Sequence, residues 1–329
     1  MAGSRERLSA RLATALVSAA TVLTLGGCGA DASGSTATRV ARGAPRTLAA
    51  GVPTTRSAKP APAPPSYPGL LAPALVSSPT AFVPAVSWRG QTAVWIARSS
   101  SGVALLSFDQ RLVELRLHSG TVDAGGLGWR FGPAVLGAEL RRLVAAFNGG
   151  FKFSTGAGGF ESFGRVGAVL GTGLGSIVTY TNGRTDVGTW HRGVPAPGTP
   201  VASARQNLTL LIDNGTAAPS IACVSCWGAT LGGVSDPARS ALGVTAGGHV
   251  VWAGGEHLTP AQLADALLGA RVVRAVELDI NPEWVAGYLY GHRGGVGPLA
   301  PVPVVPGQNG VPGFFLAPYS RDFFTIEAR

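Results

Sequence analysis

The stretch HLTPAQLADALLGARVVRAVELDINPEW, residues 257–284, decides the reading of this chain. Thr259 is a good helix N-cap, Pro260 suits the first helical position, and Gln262 completes a capping box. Gly269 is placed to stop the helix. The following run, RVVRAVELDI, is β-branched and reads as a strand in a sheet interior. Upstream, SALGVTAGGHVVWAGG reads as a hairpin turning at Gly247-Gly248. Hairpin, then helix, then central strand predicts an α+β fold, a strand-rich mixed sheet with a few covering helices.

Strand signals dominate elsewhere. AVSWRGQTAVWIARSSSGVALLSFD alternates apolar and polar residues around turn clusters. Asn182-Gly183 and Asn214-Gly215 lie between strand-like runs, and Asn-Gly is the pair a type I′ hairpin favours. A second helix is expected from Pro133 to about Arg142, in GPAVLGAELRRL.

The N-terminus sets the compartment. Arg5, Arg7 and Arg11 precede an apolar run from Leu12 to Gly27, too short for a comfortable membrane span. Small residues stand directly before Cys28, an arrangement that resembles a bacterial lipoprotein signal with Cys28 lipidated; the other reading is an ordinary secretory signal cut near Ala30. Either exports the chain. Residues 29–81 are rich in Pro, Ala, Ser and Thr and read as a disordered linker, leaving 82–329 as a single large domain. Cys223 and Cys226 then remain as a pair, most simply a disulfide in an oxidising compartment. Zinc would need two more ligands than CVSC supplies.

The formal charge of +9 does not point to nucleic acid. Residues 1–81 hold eight basic and two acidic residues, against 18 and 15 in the remainder. The excess sits in the signal and tether, where it suits an anionic membrane or wall polymer, and no basic stripe interleaved with aromatics follows.

Two places carry candidate chemistry. AAFNGGFKF, residues 145–153, ends an apolar strand in Asn148-Gly149-Gly150. That is either a turn or a site floor where missing side chains admit a ligand. The strand ending ELDINPEW puts Glu277 and Asp279 on one face, costly in a core unless paired, hydrated or bound to metal.

The order of motifs resembles the phosphodiester glycosidase domain family. Asn148–Gly150 follows a strand, then come Asp213-Asn214-Gly215, the Arg239–Gly243 strand and its hairpin, the Thr-Pro-Ala-Gln-Leu-Ala helix, and a strand ending Leu278-Asp279. The resemblance spans roughly residues 85–329 and implies removal of a sugar from a phosphodiester. Where the family reads Asn-Gly-Gly-Phe-Phe, Lys152 stands at the second aromatic. Its Leu-Asp-Gly-Gly-Gly-Ser becomes Leu278-Asp279-Ile280-Asn281-Pro282-Glu283, which removes a glycine loop able to offer N–H groups to phosphate.

Asp279 is therefore the first catalytic carboxylate, with Glu283 preferred as the second and Glu277 or Asp213 as alternatives. Arg239 would bind an anionic group, or instead pair with Glu277. Asn148, Gly149, Gly150, Asp213, Asn281 and Trp284 complete the expected substrate-binding set, Trp284 as a sugar-stacking platform. The sequence specifies no cofactor; a divalent cation on Asp279, Asn281 and Glu283 is an option that no defined ligand spacing calls for. Lys152 and His257 read as loop residues. The expected activity is an exported, lipid-anchored hydrolase acting on a sugar-1-phosphodiester or related envelope glycan. The rival is a non-catalytic glycan-binding lipoprotein with a degenerate site. Partners are a carbohydrate or sugar phosphate and, through the anchor, the membrane; nucleic acid is not expected.

Overall fold

A computed structural model of the chain describes residues 66–71, 81–229, 233–311 and 313–329. Cys28 and its signal lie outside the described residues, as does most of the stretch expected to be linker. Tyr67 to Leu71, inside that stretch, are described, and they are part of the fold. Gly69–Leu70 pairs parallel with Gly287–Arg293 and antiparallel with Val83–Trp88, and the Tyr67 ring stacks on His292 at 4.3 Å.

The α+β expectation is corrected. Strand accounts for 41% of the structure and helix for 8%, so the fold is predominantly β. A large mixed sheet of 14 strands faces a five-stranded antiparallel sheet formed by 160–206, and among the described residues there is one α-helix, Pro260–Gly269. That helix forms as the sequence predicts. Thr259 Oγ1 accepts from the Gln262 N–H at 3.3 Å, and Gln262 Oε1 accepts from the Thr259 N–H at 2.9 Å. Leu263 and Leu267 are fully buried against the sheet, each stabilising by about 1.5–3 kcal/mol. The helix includes Gly269; the chain reverses at Arg271, which takes φ 60.

The second expected helix is absent. Between Pro133 and Arg142 there are turns and a three-residue 3-10 helix, Glu139–Arg141. Gly137 sits at φ 57, which no right-handed helix tolerates, and the Val135 N–H ties the segment to Phe315 O. The Asn214-Gly215 turn has both residues at positive φ, as type I′ requires. At Asn182-Gly183 only the glycine does, and the Gly183 N–H donates to Tyr180 O, so this turn is not type I′.

The large sheet curls, so that its two halves meet. Trp252 from the strand Val250–Gly255 stacks on Phe147 from the distant strand Leu143–Asn148, with ring centroids 5.6 Å apart. Phe108 and Phe324 close the same cluster around Phe147. This closure brings the ends of Leu143–Asn148, Arg239–Thr245, Val272–Glu277 and Phe323–Ala328 to one place.

Candidate functional site

The ends of these strands are stitched by backbone and amide bonds. The Asp279 N–H donates to Gly149 O at 3.0 Å, and the Gly149 N–H to Asp322 O at 3.0 Å. Asn148, 1% exposed, donates from Nδ2 to Gly149 O and to Ser240 Oγ, and its Oδ1 accepts from the Ala286 N–H. Ser240 in turn donates to the Asp279 carbonyl. Asn207 joins the same seam, donating to Glu277 O and accepting from the Phe151 N–H. The Asn148 amide is thus committed to holding the strand ends together.

The two glycines after it have a packing reason. Arg205 and Asp322 form a fully buried ion pair, Nε to Oδ2 at 2.7 Å and Nη2 to Oδ1 at 3.0 Å. A Cβ on Gly149 would overlap the Asp322 carboxylate, and one on Gly150 would come within 2.8 Å of the Arg205 guanidinium. Gly149-Gly150 is therefore the floor of the site, and what it admits is this ion pair.

Asp279 follows the end of Val272–Glu277 and is 6% exposed. Its Oδ1 accepts from the N–H groups of Ile280 and Asn281, and its Oδ2 from Arg321 Nη2 at 3.1 Å. Burial pushes its pKa up to about 6, against the pull of Arg321 and the two backbone donors. Arg321 also donates to Gly150 O and lies with Nε 2.6 Å from Asp123 Oδ2, an ion contact without hydrogen-bond alignment. Its Nη1 has no partner. Trp284 packs edge-on against Tyr319 with centroids 6.0 Å apart, and the Arg321 Cζ lies 5.9 Å from the Trp284 ring. Trp284 Nε1 and Tyr319 Oη are likewise buried without partners. Three unmet donors therefore belong to Arg321, which holds Asp279, and to two aromatics packed beside it, donors that a ligand's oxygens would complete.

Glu277 and Arg239 form a second, separate buried pair, Nη1 to Oε1 at 2.6 Å. Arg239 spends its other donors on Leu258 O and Trp227 O. Burial pushes Glu277 up to about 8 despite Arg239. Glu283 is exposed in the turn after Asp279, its N–H capped by Asn281 Oδ1. Asp213 is exposed beside the Asn214-Gly215 turn, near the start of Val272–Glu277 and so at the other end from Asp279. Lys152 and His257 are exposed loop residues. The structure thus gathers Asp279, Asn148, Gly149, Gly150, Asn281 and Trp284, keeps Glu277 with Arg239 beside them, and leaves Asp213 apart.

Sequence reasoning missed Arg321, Asp322, Arg205, Asp123 and Tyr319. A signal was present: Arg205-Gln206-Asn207 ends an otherwise apolar alternation, and Arg321-Asp322 immediately precedes an aromatic strand. Charges at such places must be paired or functional.

Cys223 and Cys226 form a disulfide, as expected, and this fits an oxidising, extracytoplasmic compartment. Trp227 beside it is buried, and a Cβ on Gly228 would meet Ile280 and Phe151, so the disulfide turn packs onto the site.

No family model and no curated protein matches the chain. Among solved structures it is similar to the catalytic domain of zebrafish N-acetylglucosamine-1-phosphodiester alpha-N-acetylglucosaminidase, auto-inhibited by its pro-peptide: 17% identity, 72% of this chain, 81% of that chain, TM-score 0.43. A hypothetical protein from Synechocystis gives 13% identity, 73% and 63% coverage, and TM-score 0.41. A Burkholderia pseudomallei protein described as exported gives 14%, 71% and 74%, and TM-score 0.32. These likenesses are distant.

Proposed function

We propose that the chain is an exported glycosidase-like hydrolase that cleaves a sugar-1-phosphodiester or a related cell-envelope glycan at Asp279, anchored to the membrane through Cys28. The observation that carries this reading is a buried carboxylate whose pKa lies near 6, held by an arginine that, with the aromatics packed beside it, leaves Arg321 Nη1, Trp284 Nε1 and Tyr319 Oη unmet. An anionic oxygen set answers those donors, and the guanidinium of Arg321 fits phosphate. Arg239 is closed off by Glu277, so anion binding falls to Arg321.

A phosphate leaving group needs little protonation, so one carboxylate suffices. Ionised Asp279 takes a proton from the attacking water, and Arg321 stabilises the departing phosphate. The motif order that resembles phosphodiester glycosidases supports the same reaction class. The unmet donors are enclosed, so substrate entry requires the turn at 282–284, whose Pro282 and Glu283 are exposed, to move aside.

The test is incubation of the purified chain with sugar-1-phosphodiesters and wall glycan, with released sugar read by mass spectrometry beside an Asp279→Asn control. Release that vanishes in the control supports the reading. Binding to glycan without release would leave the non-catalytic envelope protein, a reading to which the exposure of Glu283 and the ion pair of Glu277 with Arg239 lend weight.

A further inference from the structure

Along the strand that follows Asp322, from His118 beside Phe323 to Glu327 near its far end, runs a second polar cluster. His118 ends the strand Val113–His118, Glu139 belongs to the 3-10 turn, and Glu327 lies near the end of Phe323–Ala328. One ligand atom from each lies within 4.8 Å of the others, the one such trio among the described residues. Glu327 lies five residues of strand, roughly 16 Å, beyond Asp322, and none of the three residues makes a hydrogen bond to the Asp279 site.

Three features make it more than a cluster of acids. His118 is fully buried, with Nδ1 3.0 Å from the Gly132 carbonyl. A carbonyl only accepts, so Nδ1 carries the proton and the lone pair is on Nε2, the orientation of a ligating histidine fixed by a backbone carbonyl. That lone pair meets only the Thr325 hydroxyl, at 3.1 Å. Glu327 is 1% exposed in its side chain, and neither of its carboxylate oxygens has a hydrogen-bond partner.

The neighbouring arginines do not answer it. Arg116 and Arg142 both give their short hydrogen bonds to Glu114, at 2.7 and 2.8 Å. What reaches Glu327 from them are contacts of 3.4 and 3.9 Å, and Glu139 receives one of 4.0 Å. Arg329 likewise acts on Glu114, so no guanidinium hydrogen-bonds Glu327 or Glu139, the two acids beside the Nε2 lone pair. We propose that His118, Glu139 and Glu327 bind a divalent transition metal of the zinc or manganese class. One imidazole and two carboxylates suit such ions, and the imidazole disfavours calcium and magnesium. The metal would tie the segment carrying Glu139 to the edge of the large sheet.

The experiment titrates the metal-stripped full chain with ZnCl2, MnCl2 and CaCl2, read by calorimetry, by metal content after gel filtration and by Tm. One zinc or manganese per chain and a raised Tm are expected, with calcium silent. Glu327→Gln and Glu139→Gln should each weaken binding at least about 10-fold with the far-UV spectrum unchanged. Glu139 is only half-buried, so its variant tests the site even if the other fails to fold. Cobalt added to the stripped chain should give a visible absorption band that is lost in His118→Gln. No binding at metal concentrations up to about 100 µM overturns the proposal. So does binding that persists undiminished in both glutamine variants.

Discussion

Asp322→Ala tests the reading of the glycine floor. The substitution leaves the Arg205 guanidinium, 1% exposed, with carbonyl partners but no counter-charge. Breaking a buried pair from one side costs about 3–5 kcal/mol. The Gly150 N–H, which donates to Asp322 Oδ2 at 3.3 Å, loses its acceptor and adds up to about 1 kcal/mol. A domain with total stability of about 5–15 kcal/mol is left marginal. In urea, with a slope of about 3 kcal/mol/M, the midpoint should fall by roughly 1–2 M. The double variant Arg205→Met/Asp322→Leu removes both charges and should recover most of that loss. Unfolding is followed by tryptophan fluorescence, since Trp227 and Trp252 are buried. A midpoint shift under about 0.3 M for Asp322→Ala would refute the claim that Gly149 and Gly150 exist to accommodate this pair.

Other outcomes follow from the same structure. Asp279 has a folded pKa near 6 against 3.8 unperturbed, so the native state binds more protons than the unfolded one. Its contribution is full below pH about 4 and is lost, by about 3 kcal/mol, as pH rises through 6; Asp279→Asn should flatten that part of a urea-midpoint profile, and stability that instead rises over this range refutes it. If Asp279 acts as the ionised base, kcat/KM climbs with pH and levels off above about 6, whereas a limb falling there would assign it the acid's role. Thr259→Ala removes one half of the capping box and should cost about 1 kcal/mol by chemical denaturation. Thiol titration of the native chain should find neither Cys223 nor Cys226 free, and reduction should lower stability by about 2 kcal/mol or less, the loop being short.

What the sequence made legible was local. The capping box of Thr259 and Gln262, the Asn214-Gly215 turn and the Cys223–Cys226 pair each depend on residues within four positions, and each formed as expected. The helix expected at Pro133 failed because Gly137 takes φ 57 while the segment is held to Phe315, about 180 residues away, a contact no local pattern reveals. The site divides the same way. Asp279 and the Asn148–Gly150 seam could be picked out because a carboxylate and a glycine pair interrupt apolar strands. Arg321 and Arg205 could not be matched to them, because their partners, Asp279, Asp123 and Asp322, lie 42, 198 and 117 positions distant. Asn148 and Arg239 were visible as polar residues in strands, but whether such a group faces a ligand or a protein partner is set by tertiary pairing.

The strand Phe323–Ala328 lies between Leu143–Asn148 and Val113–His118, inside the large sheet rather than at its edge. A chain threaded outward from its N-terminus would therefore deliver the residues beside Asp279 long before Arg321 and Asp322 arrive to neutralise and shape them. Until then the Leu143–Asn148 strand has an open seam, and Arg205 has no counter-ion. The Asp279 site thus matures last, and a chain stalled before its last residues emerge carries an exposed strand edge and an incomplete site, a state suited to recognition by chaperones or proteases.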